Sequence, residues 1–200
     1  MKTILKIILV IALALCTDIL FASGIMHGNM MVNILPVTAE KALVNISTTG
    51  NSNIDLTVTN NKGNVLISKE NLEPTKDYRS EFDFHTLKNG TYKVTAVGQD
   101  ITTERLFRMT DKGIKVGKEK TYMKPNFAYK DGILKLSFLN FQRDNTTINL
   151  KNKKQLLFTK DCGDTFTVLK GLDLSHLENG TYEVVLSAGN KAYSYTIDKR

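Results

Sequence analysis

The 200-residue chain has no tryptophan, three prolines, three histidines and two cysteines. One cysteine, Cys16, lies in an apolar leader. A chain freed of that leader keeps Cys162 alone, which excludes an intrachain disulfide and leaves stability to apolar cores. His27, His85 and His176 fall in no His-x-His or Glu-x-x-His spacing, and no cysteine pair accompanies them. The usual sequence signature of a metal site is therefore missing. Gly113 and Gly117 are not followed by the Gly-Lys-Ser or Gly-Lys-Thr of a phosphate-cradling loop. Cys162 sits between Asp161 and Asp164, whose charge disfavours a reactive thiolate, and these two carboxylates are too few for a calcium loop. Nothing selects a carboxylate pair for acid–base work. The expectation is a chain with no catalytic, metal or cofactor site.

Positive charge dominates, with 27 Lys and Arg against 20 Asp and Glu, a formal net charge of +7. Lysines such as Lys151, Lys153 and Lys154 fall in polar turns or alternate with apolar residues. No basic stretch is interleaved with aromatics, as a nucleic-acid surface would require. They read as solvated strand faces and as charges that protect sheet edges from pairing.

The only long apolar run is at the start. Lys2 and Lys6 precede the apolar stretch Ile7 to Leu15, and small residues follow at Ala22, Ser23 and Gly24. Charge, apolar core and small residues in that order read as a secretory signal peptide over residues 1–24. The run is too short to cross ~30 Å of hydrocarbon and is broken by Asp18, so no membrane span is expected in the mature chain. Leu13-Ala14-Leu15-Cys16 loosely resembles a lipoprotein cleavage box. Leu15 is large where that box needs a small residue, and apolar chain continues through Phe21, so cleavage near Ala22 to Gly24 is the better reading. An acylated Cys16 is the alternative.

The rest of the chain repeats itself. Phe82-Asp83-Phe84-His85-Thr86-Leu87-Lys88-Asn89-Gly90-Thr91-Tyr92-Lys93-Val94 registers without a gap on Leu172-Asp173-Leu174-Ser175-His176-Leu177-Glu178-Asn179-Gly180-Thr181-Tyr182-Glu183-Val184. Upstream, Val44 to Ser47 matches Leu134 to Ser137, Leu56 and Val58 match Ile148 and Leu150, and Val65 to Glu70 matches Leu156 to Asp161. Such a correspondence marks a duplicated domain. Apolar residues alternate with polar ones within each copy, as at Leu134, Leu136 and Phe138, and Asn/Gly/Asp turns punctuate the runs. No window beyond the leader has helical periodicity. The fold class expected is all-β: two tandem immunoglobulin-like β-sandwich domains after the signal peptide. Residues 25–112 form the first, 113–118 a charged glycine-containing linker, and 119–200 the second.

The repeated segment has a mechanical role in this reading. Asp83 and Asp173 bond nearby amides and fix a tight turn. Leu87 and Leu177 plug the end of the core. Gly90 and Gly180 allow a positive φ. Tyr92 and Tyr182 open the next strand, ring inward and hydroxyl on the connecting loop, as in a tyrosine corner. These eight residues are the structural corner of the two copies.

The run from Gly171 to Val184, the strand after it and the terminal Lys199-Arg200 resemble C-terminal sorting domains of the type IX secretion system of Bacteroidetes. They are equally similar to small secreted or periplasmic β-sandwich proteins of that phylum. The resemblance covers most of the second copy and, through the repeat, much of the first. It implies an immunoglobulin-like sandwich, export, and contact with a secretion machinery. A sorting domain ordinarily trails a cargo, whereas here the other domain is itself a copy. The leading expectation is thus an exported, non-enzymatic binding or structural module of the periplasm or the cell surface, with an unknown protein or envelope partner. The alternative is a type IX secretion substrate whose second domain is the sorting signal.

Overall fold

The computed structural model describes residues 29–73 and 77–200. The signal peptide expected over residues 1–24 lies outside the described residues. The chain divides into two compact units between Tyr122 and Met123.

The first unit contains β1 (Met30–Pro36), β2 (Lys41–Thr48), β3 (Ile54–Asn60), β4 (Val65–Leu72), β5 (Asp77–Asp83), β6 (Gly90–Val97), β7 (Ile101–Thr110) and β8 (Gly113–Met123). They form one sheet of order β1-β2-β5 and another of order β4-β3-β6-β7-β8. Period-two alternation explains the two layers. Ala42, Val44 and Ile46 of β2, and Leu56 and Val58 of β3, are fully buried, while the residues between them are not. Each sheet turns that apolar face inward, and one core results. Phe84 stacks on Phe107 at 4.9 Å between ring centroids, and Tyr92 also stacks on Phe107, at 5.4 Å.

The second unit repeats the plan with β9 (Asn126–Lys130), β10 (Ile133–Leu139), β11 (Thr146–Asn152), β12 (Leu156–Gly163), β13 (Thr167–Asp173), β14 (Gly180–Ala188) and β15 (Lys191–Lys199). Its sheets run β9-β10-β13 and β12-β11-β14-β15. Leu134, Leu136, Ile148, Val184 and Leu186 are fully buried in its core. The duplication extends to irregularities: the β3–β4 ladder shifts register at Val58/Thr59 and the β11–β12 ladder at Leu150/Lys151, which are matched positions of the repeat. The described residues are all-β, two immunoglobulin-like sandwiches in tandem.

The linker expected over residues 113–118 is instead the first half of β8, the fifth strand of a sheet. Its glycines serve close packing rather than freedom. Gly113 has φ +105°, and a Cβ there would lie 3.2 Å from the Ala39 Cα. A Cβ on Gly117 would lie 3.1 Å from the Leu106 carbonyl oxygen. Ile114 and Val116 pack on the first core. Glycine and lysine density hid an alternation carried by only two apolar residues.

Candidate functional site

The corner residues occupy matching places in the two units. β5 and β13 end on the aspartates. The Asp83 carboxylate accepts from the His85 amide at 3.0 Å, and Asp173 from the Ser175 amide at 2.9 Å. The backbone then doubles back, with the Leu87 amide donating to the Phe84 carbonyl (2.8 Å) and the Leu177 amide to the Leu174 carbonyl (3.1 Å). Leu87 and Leu177 pack against their respective cores. The Tyr92 hydroxyl donates to the Lys88 carbonyl at 2.7 Å, and the Tyr182 hydroxyl to the Glu178 carbonyl at 2.7 Å. The rings are 8% and 7% exposed, so each tyrosine joins the core to the turn four residues before it.

Gly90 differs from the expectation. Gly180 has the expected positive φ, +156°, whereas Gly90 is not among the positive-φ glycines. Gly90 opens β6, where an extended chain suffices. At each of the two glycines, a built Cβ would face the ring of the tyrosine two residues on, 3.8 Å from the Tyr92 Cε2 and 4.0 Å from the Tyr182 Cε2. Left-handed glycine appears instead at Gly132, with φ +79°, where the Leu174 amide donates to its carbonyl.

The corner electrostatics follow from these bonds. The His85 backbone amide, then its ring, holds the Asp83 carboxyl below its usual range, and the Ser175 hydroxyl and amide do so for Asp173. Burial pushes the Tyr182 hydroxyl up. The Cys162 thiol is also pushed up, chiefly by burial, with Asp161 adding to it and Lys170 and Lys160 opposing. Acidic neighbours were the cause visible in the sequence; partial burial is the larger one. Among the described residues no group of three metal-ligating side chains converges.

Two features of the second unit escaped sequence reasoning. Phe141 and Phe166 stand 43% and 39% exposed, edge to face at 5.3 Å, with the Arg143 guanidinium 5.4 Å over Phe166. Beneath them Asn140 is buried, its amide donating to the carbonyls of Asp144 (2.7 Å) and Thr165 (3.2 Å). It thereby ties the β10–β11 loop to the β12–β13 loop. Continuing the repeat alignment places Gly50 and Asn51 opposite Asn140 and Phe141, so the first copy has no counterpart of this cluster. The second feature is the Lys199 ammonium, which donates to the carbonyls of Ser175 and Leu177 and fastens the end of β15 to the corner.

Residues 38–107 match the family model of the secretion system C-terminal sorting domain. The matched stretch runs from before β2 into β7 and contains the whole first corner. The resemblance to sorting domains thus stands on the first copy, whereas the sequence reading rested mainly on the second. That match, over less than half of the chain, points to a secreted module. No curated protein matches the chain. Among solved structures, the chicken CNTN1 FN1-FN3 domains align at 9% identity over 85% of this chain and 66% of theirs, with a TM-score of 0.28. This chain therefore spans just under two thirds of that fragment. A chicken tenascin segment of two fibronectin type-III domains aligns at 11% identity over 86% of this chain and 100% of its own, TM-score 0.29. Tandem immunoglobulin domains of titin align at 14% identity over 86% and 97%, TM-score 0.24. Scores this low carry no argument; the sandwich assignment rests on strand order and facing apolar sides. Among the described residues no helix is long and apolar enough to cross a membrane.

Proposed function

We propose that the chain is an exported, non-enzymatic pair of β-sandwiches that acts as a binding or structural module in the periplasm or at the cell surface. The observation that carries this reading is the match of residues 38–107 to a secretion-system sorting domain on a copy that carries the same corner as its neighbour. The corner residues are anchors of the scaffold, spent on holding a turn to a core. Recognition then falls to exposed end loops and strand edges on rigid sheets. Residues 1–24 act as the signal peptide, so that the mature chain starts near Ile25 without lipid. A partner is a protein or envelope component, not a nucleic acid.

Through the repeat, the same match also supports a second reading: a type IX secretion substrate whose second domain is read by the secretion machinery. Fractionation of cells that express the full chain, or a chain ending at Tyr122, separates the two. Periplasmic retention of both forms supports the module. Surface attachment or release of the full chain only supports the sorting signal. Retention of the full chain in the cytoplasm refutes both.

A further inference from the structure

The two sandwiches treat the same sheet edge differently. In the first unit the outer edge of β7 is covered by β8. That strand lays Ile114 and Val116 on the core and sends Glu119 across to β1 and β7, where its carboxylate accepts from the Val32 amide at 2.7 Å and lies 3.8 Å from the Arg105 Nε. In the second unit β15 holds the place of β7 and is the last strand of its sheet, with no strand on its outer edge among the described residues.

The seam that β8 seals in the first unit is sealed otherwise in the second. The repeat alignment puts Tyr195 where Arg105 stands. The strand pairing puts Phe127 where Val32 stands, because Val32 faces Ile46 and Phe127 faces the matched Leu136. Phe127 and Tyr195 stack at 5.4 Å, and Tyr193 meets Phe138 at 5.9 Å. Stacked rings close the gap between β9 and β15, so the second core needs no covering strand. The middle of that edge carries little to discourage pairing. β15 pairs with β14 over its whole length without a register shift, contains no proline, and presents small side chains at Ala192, Ser194 and Thr196 on its exposed side; charge appears only toward its ends, at Lys191, Asp198 and Lys199. The opposite edge strands, β4 and β12, each carry two register shifts, the irregularities that discourage pairing.

We infer that the outer edge of β15, over Ala192 to Asp198, is a strand-accepting site. Its occupant is an extended segment of a separate protein, free of proline and apolar at alternate positions, which adds to the sheet as β8 adds to β7. Main-chain hydrogen bonds hold such a strand, and its alternate side chains lie beside Tyr193 and Tyr195. The inference rests on the binding reading above. A chain that is exported and yet leaves β15 bare sinks the inference alone.

Amide hydrogen exchange on the full mature chain tests it. The probe is a synthetic peptide of residues 113–123, the strand that already lies on the matched edge, with its Val116→Pro form as control. Dilute protein alone should exchange quickly at those amides of residues 192–198 that point away from β14. The peptide should slow these amides at least tenfold, leave those of β8 unchanged, and lose its effect as the proline form. Three results would overturn the inference: no slowing at saturating peptide, slow exchange already present in dilute protein, or slowing that follows protein concentration without peptide. The second would mean that the chain covers its own edge, and the third that a second copy does.

Discussion

Substituting Tyr182 by phenylalanine and by alanine, with the same pair at Tyr92, separates the hydroxyl from the ring at each corner. At Tyr182 the hydroxyl is 2.7 Å from the Glu178 carbonyl. Phenylalanine leaves that carbonyl without its donor and should cost about 1 kcal/mol. Alanine also removes a ring that is 7% exposed, against a core with Leu172, Leu174 and Ile197, and should cost roughly 3–5 kcal/mol. Tyr92 should lose more on truncation. Its ring stacks on Phe107 at 5.4 Å, whereas the matched neighbour of Tyr182 is Ile197. An aromatic pair adds about 0.5–1.5 kcal/mol beyond area burial, so Tyr92→Ala should exceed Tyr182→Ala by about 1 kcal/mol. The two phenylalanine variants should be alike. Denaturant unfolding followed by circular dichroism reads all four, and an unchanged slope against denaturant shows that only stability moved. Alanine variants as stable as the parent would refute the corner reasoning. Equal losses at the two sites would refute the part assigned to the Phe107 stack.

Expressed separately, residues 29–122 and 123–200 should each unfold in one cooperative thermal transition, and a first segment cut at residue 112 should be the less stable because it lacks β8. Gly90→Ala should stay within about 0.5 kcal/mol of the parent in denaturant unfolding, since the nearest atom to a new Cβ is 3.8 Å away. Gly132→Ala, at φ +79° and 3.1 Å from the Ser175 Cβ, should cost at least about 1–2 kcal/mol by the same measurement. Asn140→Ala should cost about 1–2 kcal/mol by removing its hydrogen bonds to two part-buried carbonyls, and limited proteolysis should then cut the β10–β11 and β12–β13 loops faster. Asp83 and Asp173 titrate below their ordinary range when folded, so their contribution is present above the unfolded value of about 3.9 and is lost as pH falls through the folded values. Acid unfolding of Asp83→Asn and Asp173→Asn variants should show a shallower fall in stability below about pH 4 than the parent.

Local chemistry was enough for much of this molecule. Alternation at Leu134, Leu136 and Phe138 determined which face is buried, because side chains on a strand alternate with period two. The repeated Asp…Leu…Asn-Gly-Thr-Tyr run determined both corners, since the aspartate–amide bonds and the tyrosine–carbonyl bonds join residues at most four apart. What depends on distant partners could not be read along the chain. The run 113–118 became a strand because the β7 edge and the first core were there to receive Ile114 and Val116, with Glu119 just beyond it, and nothing within the run signals that reception. The ordinary φ of Gly90 follows from its place at the start of β6, not from its residue type. Asn140 joins two loops whose bonded residues stand 25 apart, and Phe127 meets Tyr195 across 68 positions. Tertiary structure alone decided that one copy's edge is covered by its own next strand, while at the matched place in the other two rings stack and no further strand lies among the described residues.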